Sequence, residues 1–426
     1  MKNIFEIIIQ KMDFYKISVL PLFICFFLLI NFTYGSDFNT YKPQNENPFN
    51  EKWRWQTFPE LVGKGCRSMV EEKNGNLWFG VSGGVYRYDG LSWRLFKIGT
   101  DSIDFSIVTL FASSSGTIYA GSTQGIYIYS ENKWSKINID LDFGDPIVYP
   151  YNRIPIIEGS DHSIWIGTKQ GAIRIKDNKI ALYSNEKIIS DLKKVDKSNL
   201  FDIYSIAEDL NGNILFGLRD GKVYKFCPEC DLQNSSATWL RIDNQPNYIK
   251  FRLPLIKIKR NGNIYVASSE NDGGINIYKD KKWIHVRFKD KYQFDDLFSD
   301  IIELNDGKIC IGGIGRIFIG EMLDWKMYES PNLPFASNRL ILYQSRDKGL
   351  WIIGLNNEVW KIDLSTYNWE TYIGLNFQTE DNDNNYWFIS FEGKIVRYNT
   401  ITKKWQKFES IDGVIDFLLI LTIETM

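Results

Sequence analysis

The chain is poor in the residues that do chemistry. Only two histidines, His162 and His285, occur among 426 residues. His162 falls in a turn and His285 in an outer strand, where surface or packing roles are expected. There is no G-x-S-x-G elbow, no H-E-x-x-H and no phosphate-binding glycine loop, so these hydrolase, zinc-protease and nucleotide-binding signatures are absent. Basic excess is lacking too. Lys plus Arg number 50 against 52 Asp plus Glu, for a formal net charge of −2. That balance gives no electrostatic case for nucleic acid. Carboxylates are scattered, and no pair stands out for glycoside hydrolysis.

Cysteine is sparse, with five residues. Cys25 lies in the N-terminal apolar run. Cys66 and Cys310 fall on expected inner strands as small apolar residues. Cys227-Pro228-Glu229-Cys230 is a C-x-x-C, but a structural zinc site needs a second pair at similar spacing, and none exists. No metal or other cofactor is expected. In an exported chain the pair is expected as a local disulfide, with free thiols the alternative.

Aromatic residues and turn signals are abundant, and they repeat. Asn74-Gly75-Asn76-Leu77-Trp78-Phe79-Gly80 reads as a turn and a strand, and Ser82-Gly83-Gly84-Val85-Tyr86-Arg87-Tyr88 as a second turn and strand. Aligned on Trp78, further copies centre on positions 119, 165, 215, 265, 310, 351 and 387. The spacings of 36 to 50 residues, with four strand-like runs per copy, predict β-propeller blades. The fold expected is therefore all-β, a propeller of seven to eight four-stranded blades. Repeats lie near 67–96, 107–137, 153–183, 203–242, 252–286, 299–328, 339–372 and 377–408. The first strand of each copy should line the channel. The fourth, around Trp93, Trp134, Tyr183, Trp239, Trp283, Trp325, Trp369 and Trp405, should be outermost, its aromatics packing between blades.

The ends have their own character. Lys11 and Lys16 precede an apolar run from Val19 to Phe32, and Thr33-Tyr34-Gly35 places small residues before Ser36. Residues 1–35 read as a signal peptide, with the start at Met1 or Met12, or as an uncleaved membrane anchor. A linker is expected over 36–52. Trp53-Arg54-Trp55-Gln56-Thr57-Phe58 matches the outer-strand pattern and predicts closure of the ring onto the seventh or the eighth copy. Residues 410–426 form an apolar tail too short for a confident membrane span.

The repeat resembles the two-component regulator propeller repeat of periplasmic sensor regions in bacterial hybrid two-component systems. Glu71 to Gly80 and Ser163 to Gly171 carry that resemblance best, and it extends over 53–408. The resemblance implies an exported sensor that binds a ligand, glycan-derived, and signals through a kinase. Kinase modules are not part of this sequence, so kinase activity is not carried over and no enzyme activity is expected. The alternatives are an interaction scaffold contacting a sensor kinase or a second copy, and a non-functional fragment of a hybrid sensor kinase. Arg67, Arg153, Arg252 and Arg339 stand 11 to 13 residues before the aligned positions, at the start of first strands. They are candidates for a ring of guanidinium groups at one channel mouth, suited to an anion. The alternative is pairing with neighbours such as Glu71 and Glu158. Tyr149 and Tyr151, in a long loop toward the same mouth, are candidates to stack on a sugar ring.

Overall fold

The computed structural model describes residues 40–99, 105–122, 124–138, 153–184, 201–232, 239–250, 252–268, 274–292, 297–329, 333, 340–354 and 358–408. It is all-β, with eight four-stranded antiparallel sheets. Seven of them belong to one compact unit, Gln44–Thr366; the eighth belongs to a second unit with Tyr367–Met426.

In the first unit each sheet is a propeller blade. Inner strands are Ser68–Glu71, Ile107–Ala112, Ile156–Glu158, Ile203–Glu208, Pro254–Ile258, Phe298–Glu303 and Leu340–Gln344, in blades 1 to 7. Each inner strand neighbours the next, and that of blade 7 neighbours that of blade 1, so the ring is closed. Blade 7 draws three strands from its own repeat. Its fourth is Trp55–Thr57, pairing Trp55 with Ile362, Gln56 with Lys361 and Thr57 with Trp360. Closure thus falls on the seventh copy. The outer strand expected around Trp369 is displaced, because the N-terminal strand already occupies that edge. Thr371–Tyr372 instead pairs with Thr40–Tyr41 in a two-stranded sheet of the second unit.

The stretch expected as a linker is also structured where it is described. It holds two 3-10 turns, Pro48–Asn50 and Lys52–Arg54. Phe49 is 1% exposed and lies against Tyr328, with ring centroids 4.2 Å apart. Residues 1–35, expected as a signal peptide, and the tail 410–426 lie outside the described residues.

The repeated residues have distinct packing tasks. The aligned aromatic fills the gap between blades. Trp78 is fully buried, with its ring 4.7 Å from Tyr129 and 6.0 Å from Trp134 of blade 2. Trp165 and Trp351 are equally buried. In blades 1 and 7 the indole N–H closes its own hairpin, donating to Glu72 Oε2 and Ser345 Oγ respectively. A cation from the third strand lies over the ring: Arg87 on Trp78, Arg174 on Trp165 and Lys361 on Trp351. The glycine two residues on, as at Gly80, Gly167 and Gly217, marks close approach. A Cβ at Gly167 would stand 2.6 Å from Ile203 Cγ2 of blade 4 and 2.7 Å from Pro155 Cγ. The turn glycine Gly75 is there for another reason, its φ of +90°.

The second unit's sheet, Leu375–Glu380, Asn385–Ser390, Ile395–Asn399 and Lys404–Phe408, repeats the blade pattern. Trp387 donates to Asp381 Oδ2 at 2.7 Å and lies under Arg397, as its counterparts do. It is only half-buried.

Candidate functional site: the channel cavity

A partly open cavity of ≈ 400 Å³ lies against the inner strands in the channel of the first unit. Arg67, Thr109, Phe111, Arg153, Asp300 and Tyr343 are among the residues lining it. Their placement follows from the blades. Arg67 immediately precedes the inner strand of blade 1, and Arg153 stands three residues ahead of that of blade 3. Asp300 and Tyr343 lie within the inner strands of blades 6 and 7.

Two of the four arginines expected at one mouth therefore share the cavity. They are not equivalent. Arg153 Nη1 donates to Asp300 Oδ1 at 2.6 Å. Asp300 is itself pinned, accepting from the backbone N–H of Ile301 at Oδ1 and of Leu342 at Oδ2. Burial alone would lower the pKa of Arg153, but the adjacent Asp300 carboxylate outweighs it and holds the guanidinium above its ordinary value. The carboxylate paired with Arg153 is thus neither Glu71 nor Glu158 but Asp300, three blades on. Arg67 is half-buried and makes no side-chain hydrogen bond or ion pair with the described residues. Burial lowers its pKa with no carboxylate to compensate.

Arg252 is exposed in the bend before the inner strand of blade 5 and does not line this cavity. The four-membered ring is therefore not assembled there. Arg339, Tyr149 and Tyr151 lie outside the described residues.

The far end of the inner strands carries a device that the sequence reading missed. The last inner-strand residue accepts the backbone N–H of a turn residue on the preceding blade. Glu158 takes Ser114, Glu208 takes Ser160, Glu303 takes Arg260, Gln344 takes Asn305 and Glu71 takes Arg346. The signal was present: each acceptor stands seven residues before its aligned position. Blades 2 and 5 have Ala112 and Ile258 there, which cannot accept. Glu158 and Glu71 thus serve as latches between blades.

Burial would raise the Glu158 pKa, but the hydroxyl and N–H of Ser114, with His162, hold it below the usual range. A depressed carboxylate contributes stability above its unfolded value, about 4.3. That contribution is lost as pH falls through the folded value. Glu158→Gln is expected to cost about 1 kcal/mol at pH 6 and progressively less as the pH falls toward 3. Urea midpoints at the two pH values check this: the gap between wild type and variant should close in acid.

Neither histidine reaches the cavity. His162 is exposed at the latch, with Nδ1 3.3 Å from Glu158 Oε1. His285 lies in the outer strand of blade 5, its Nδ1 3.2 Å from Asn276 Oδ1. Among the described residues no group of three His, Cys, Asp or Glu is placed to hold a metal. Nor is any described helix long and apolar enough to cross a membrane.

Cys227 and Cys230 form a disulfide, with Cα atoms 5.2 Å apart, around the short helix Pro228–Leu232 between the third and fourth strands of blade 4. Cys66 precedes the inner strand of blade 1, and burial pushes its thiol up to about 12. Cys310 is on a second strand rather than an inner one, at the aligned position of blade 6. It is buried and inert in the same way.

No protein-family model and no curated protein matches the sequence. Solved structures do. Virginiamycin B lyase from Staphylococcus aureus is 12% identical over 72% of this chain and 98% of its own, with a TM-score of 0.55. YCF48 from Cyanidioschyzon merolae is 13% identical over 72% and 98%, with a TM-score of 0.54. The extracellular domain of a hybrid two component system from B. thetaiotaomicron is 15% identical over 84% of this chain and 55% of that one, with a TM-score of 0.55. The chain thus spans about half of that sensor domain. At these identities the likeness is one of fold: a propeller of four-stranded blades, shared by an enzyme, by YCF48 and by the extracellular domain of a signalling system.

Proposed function

We infer that this protein is an exported, non-enzymatic sensor propeller that holds a glycan-derived ligand in its channel cavity and passes the signal to a kinase partner. The observation that carries the reading is the cavity itself. It lies within a closed ring of blades and is lined by apolar walls with a few polar groups, the usual make-up of a small-molecule site. The likeness to the extracellular domain of a hybrid two component system supports the sensor role and the exported location.

The lyase neighbour favours a second reading. In that protein a variant with one histidine replaced by alanine is catalytically inactive. Here both histidines stand away from the cavity, and burial makes Cys66 and Cys310 poor nucleophiles. The cavity thus brings together groups for binding rather than for proton transfer.

A thermal-shift screen of the purified protein against neutral and acidic oligosaccharides tests the reading. A ligand that binds only the native state at a hundred times its Kd stabilises it by about 2.7 kcal/mol. The melting temperature should rise for a narrow set of saccharides. No shift with any of them, or turnover of one, contradicts the proposal.

A further inference from the structure

The geometry points to a carboxylate-binding subsite at Arg67, which makes the ligand of this cavity an acidic sugar; this rests on the sensor reading above. The ground is a contrast among arginines on the ring. Arg153 is committed to Asp300. Arg219 Nε donates to Asp202 Oδ2 at 2.6 Å, and Arg260 Nε to Glu303 Oε1 at 3.1 Å. Arg346 Nη1 donates to the carbonyl of Lys73. Arg67, half-buried against the cavity, donates to no described group. A guanidinium withdrawn from water without a partner is costly, and an anion in the cavity relieves that cost. Arg also presents a planar fork that fits a carboxylate through two parallel hydrogen bonds.

The rest of the cavity describes the ligand's body. Val70, Leu110, Ile341 and Leu342 supply apolar wall. Tyr343 Oη accepts the backbone N–H of Glu71 at 3.0 Å, which leaves its own O–H free to donate to a ligand oxygen. Arg67 and Glu71 are four residues apart on extended chain, roughly 13 Å. The two polar anchors therefore enter a cavity of ≈ 400 Å³ from backbone positions that far apart. That span suits one or two sugar rings, with the carboxylate at the Arg67 end and a hydroxyl at the Tyr343 end. Asp300 makes no hydrogen bond or ion pair to Arg67; it is turned to Arg153 and to the backbone N–H groups of Ile301 and Leu342.

Calorimetric titration of the full protein with sodium glucuronate and with glucose, at constant ionic strength, tests the assignment. Wild type should bind glucuronate at least tenfold more tightly than glucose. Arg67→Gln, with an unchanged melting temperature in the absence of sugar, should abolish that preference, and Arg67→Lys should keep part of it. Tyr343→Phe should weaken both sugars alike. Equal affinity for the two sugars in wild type, or a preference that survives Arg67→Gln, overturns the carboxylate assignment while the sensor reading stands. Acetate binding as tightly as glucuronate, with both lost in Arg67→Gln, supports the anion subsite and counts against the glycan reading.

Discussion

Arg54→Ala is expected to destabilise the protein by about 3–5 kcal/mol, the range for breaking a buried ion pair by removing one partner. Arg54 is 3% and Glu51 4% exposed, and Nε donates to Glu51 Oε2 at 2.5 Å. Nη1 donates to the carbonyls of Ser365 and Asp363, at 2.6 and 3.2 Å, where the third strand of blade 7 ends. One side chain thus fixes the closing strand onto the blade it completes. Its loss takes the Nε donor from the buried Glu51 carboxylate, which also accepts the Gln44 N–H, and one donor from each of two carbonyls. Because the ring closes through this strand, the loss should be felt by the whole unit. Chemical denaturation should show a lower midpoint, and hydrogen exchange should show the Trp55–Thr57 strand opening first. A loss of stability below about 1 kcal/mol, the size of a single net hydrogen bond, would mean that the strand is held by its backbone pairing alone.

Gly167→Val is expected to cost about 3 kcal/mol, at the upper end of ordinary overpacking. The first new atom, the Cβ, would already stand 2.6 Å from Ile203 Cγ2 and 2.7 Å from Pro155 Cγ. Ile203 belongs to the inner strand of the next blade, so the clash cannot be relieved within blade 3 alone. Either the two blades separate or the strand shifts, and both loosen the ring. By contrast, Gly83→Ala meets no atom within 4 Å, and its cost should reflect only the positive φ of +80°. Comparing the two melting temperatures separates a packing glycine from a turn glycine. Equal losses would contradict the account of why the second-strand glycine recurs.

These two cases show what the sequence made readable. The recurrence of turn, aromatic and glycine specified the blades, because each is a local consequence of strand geometry. The match of Trp53 to Phe58 with outer strands specified that the ends meet. Whether they meet on the seventh or the eighth copy was not readable, since both repeats carry the same pattern. The structure settles on the seventh, and the expected outer strand at Trp369 gives way to the N-terminal one. The Glu51–Arg54 pair was not readable, because Glu51 stands in what resembles a polar linker and Arg54 counts only as one residue of the outer-strand pattern. The cavity was half legible. Register placed Arg67 and Arg153 toward one mouth, yet the partner of Arg153 is Asp300, 147 residues away, a pairing that only the closed ring creates. Arg252 lies in a bend, where register along a strand no longer fixes direction. The latch residues Glu71, Glu158, Glu208, Glu303 and Gln344 recur seven positions before the aligned position in five of the seven blades, and that alignment was enough to find them.

A crystal structure grown with glucuronate in excess over its Kd tests most directly that the channel cavity is the ligand site. Density for the sugar should fill the channel between the inner strands of blades 1, 2 and 7. Its carboxylate should lie within about 3 Å of the Arg67 guanidinium, the ordinary length of a charge-assisted hydrogen bond. An empty channel, with the sugar bound at the outer face of a blade or in a loop, would contradict it.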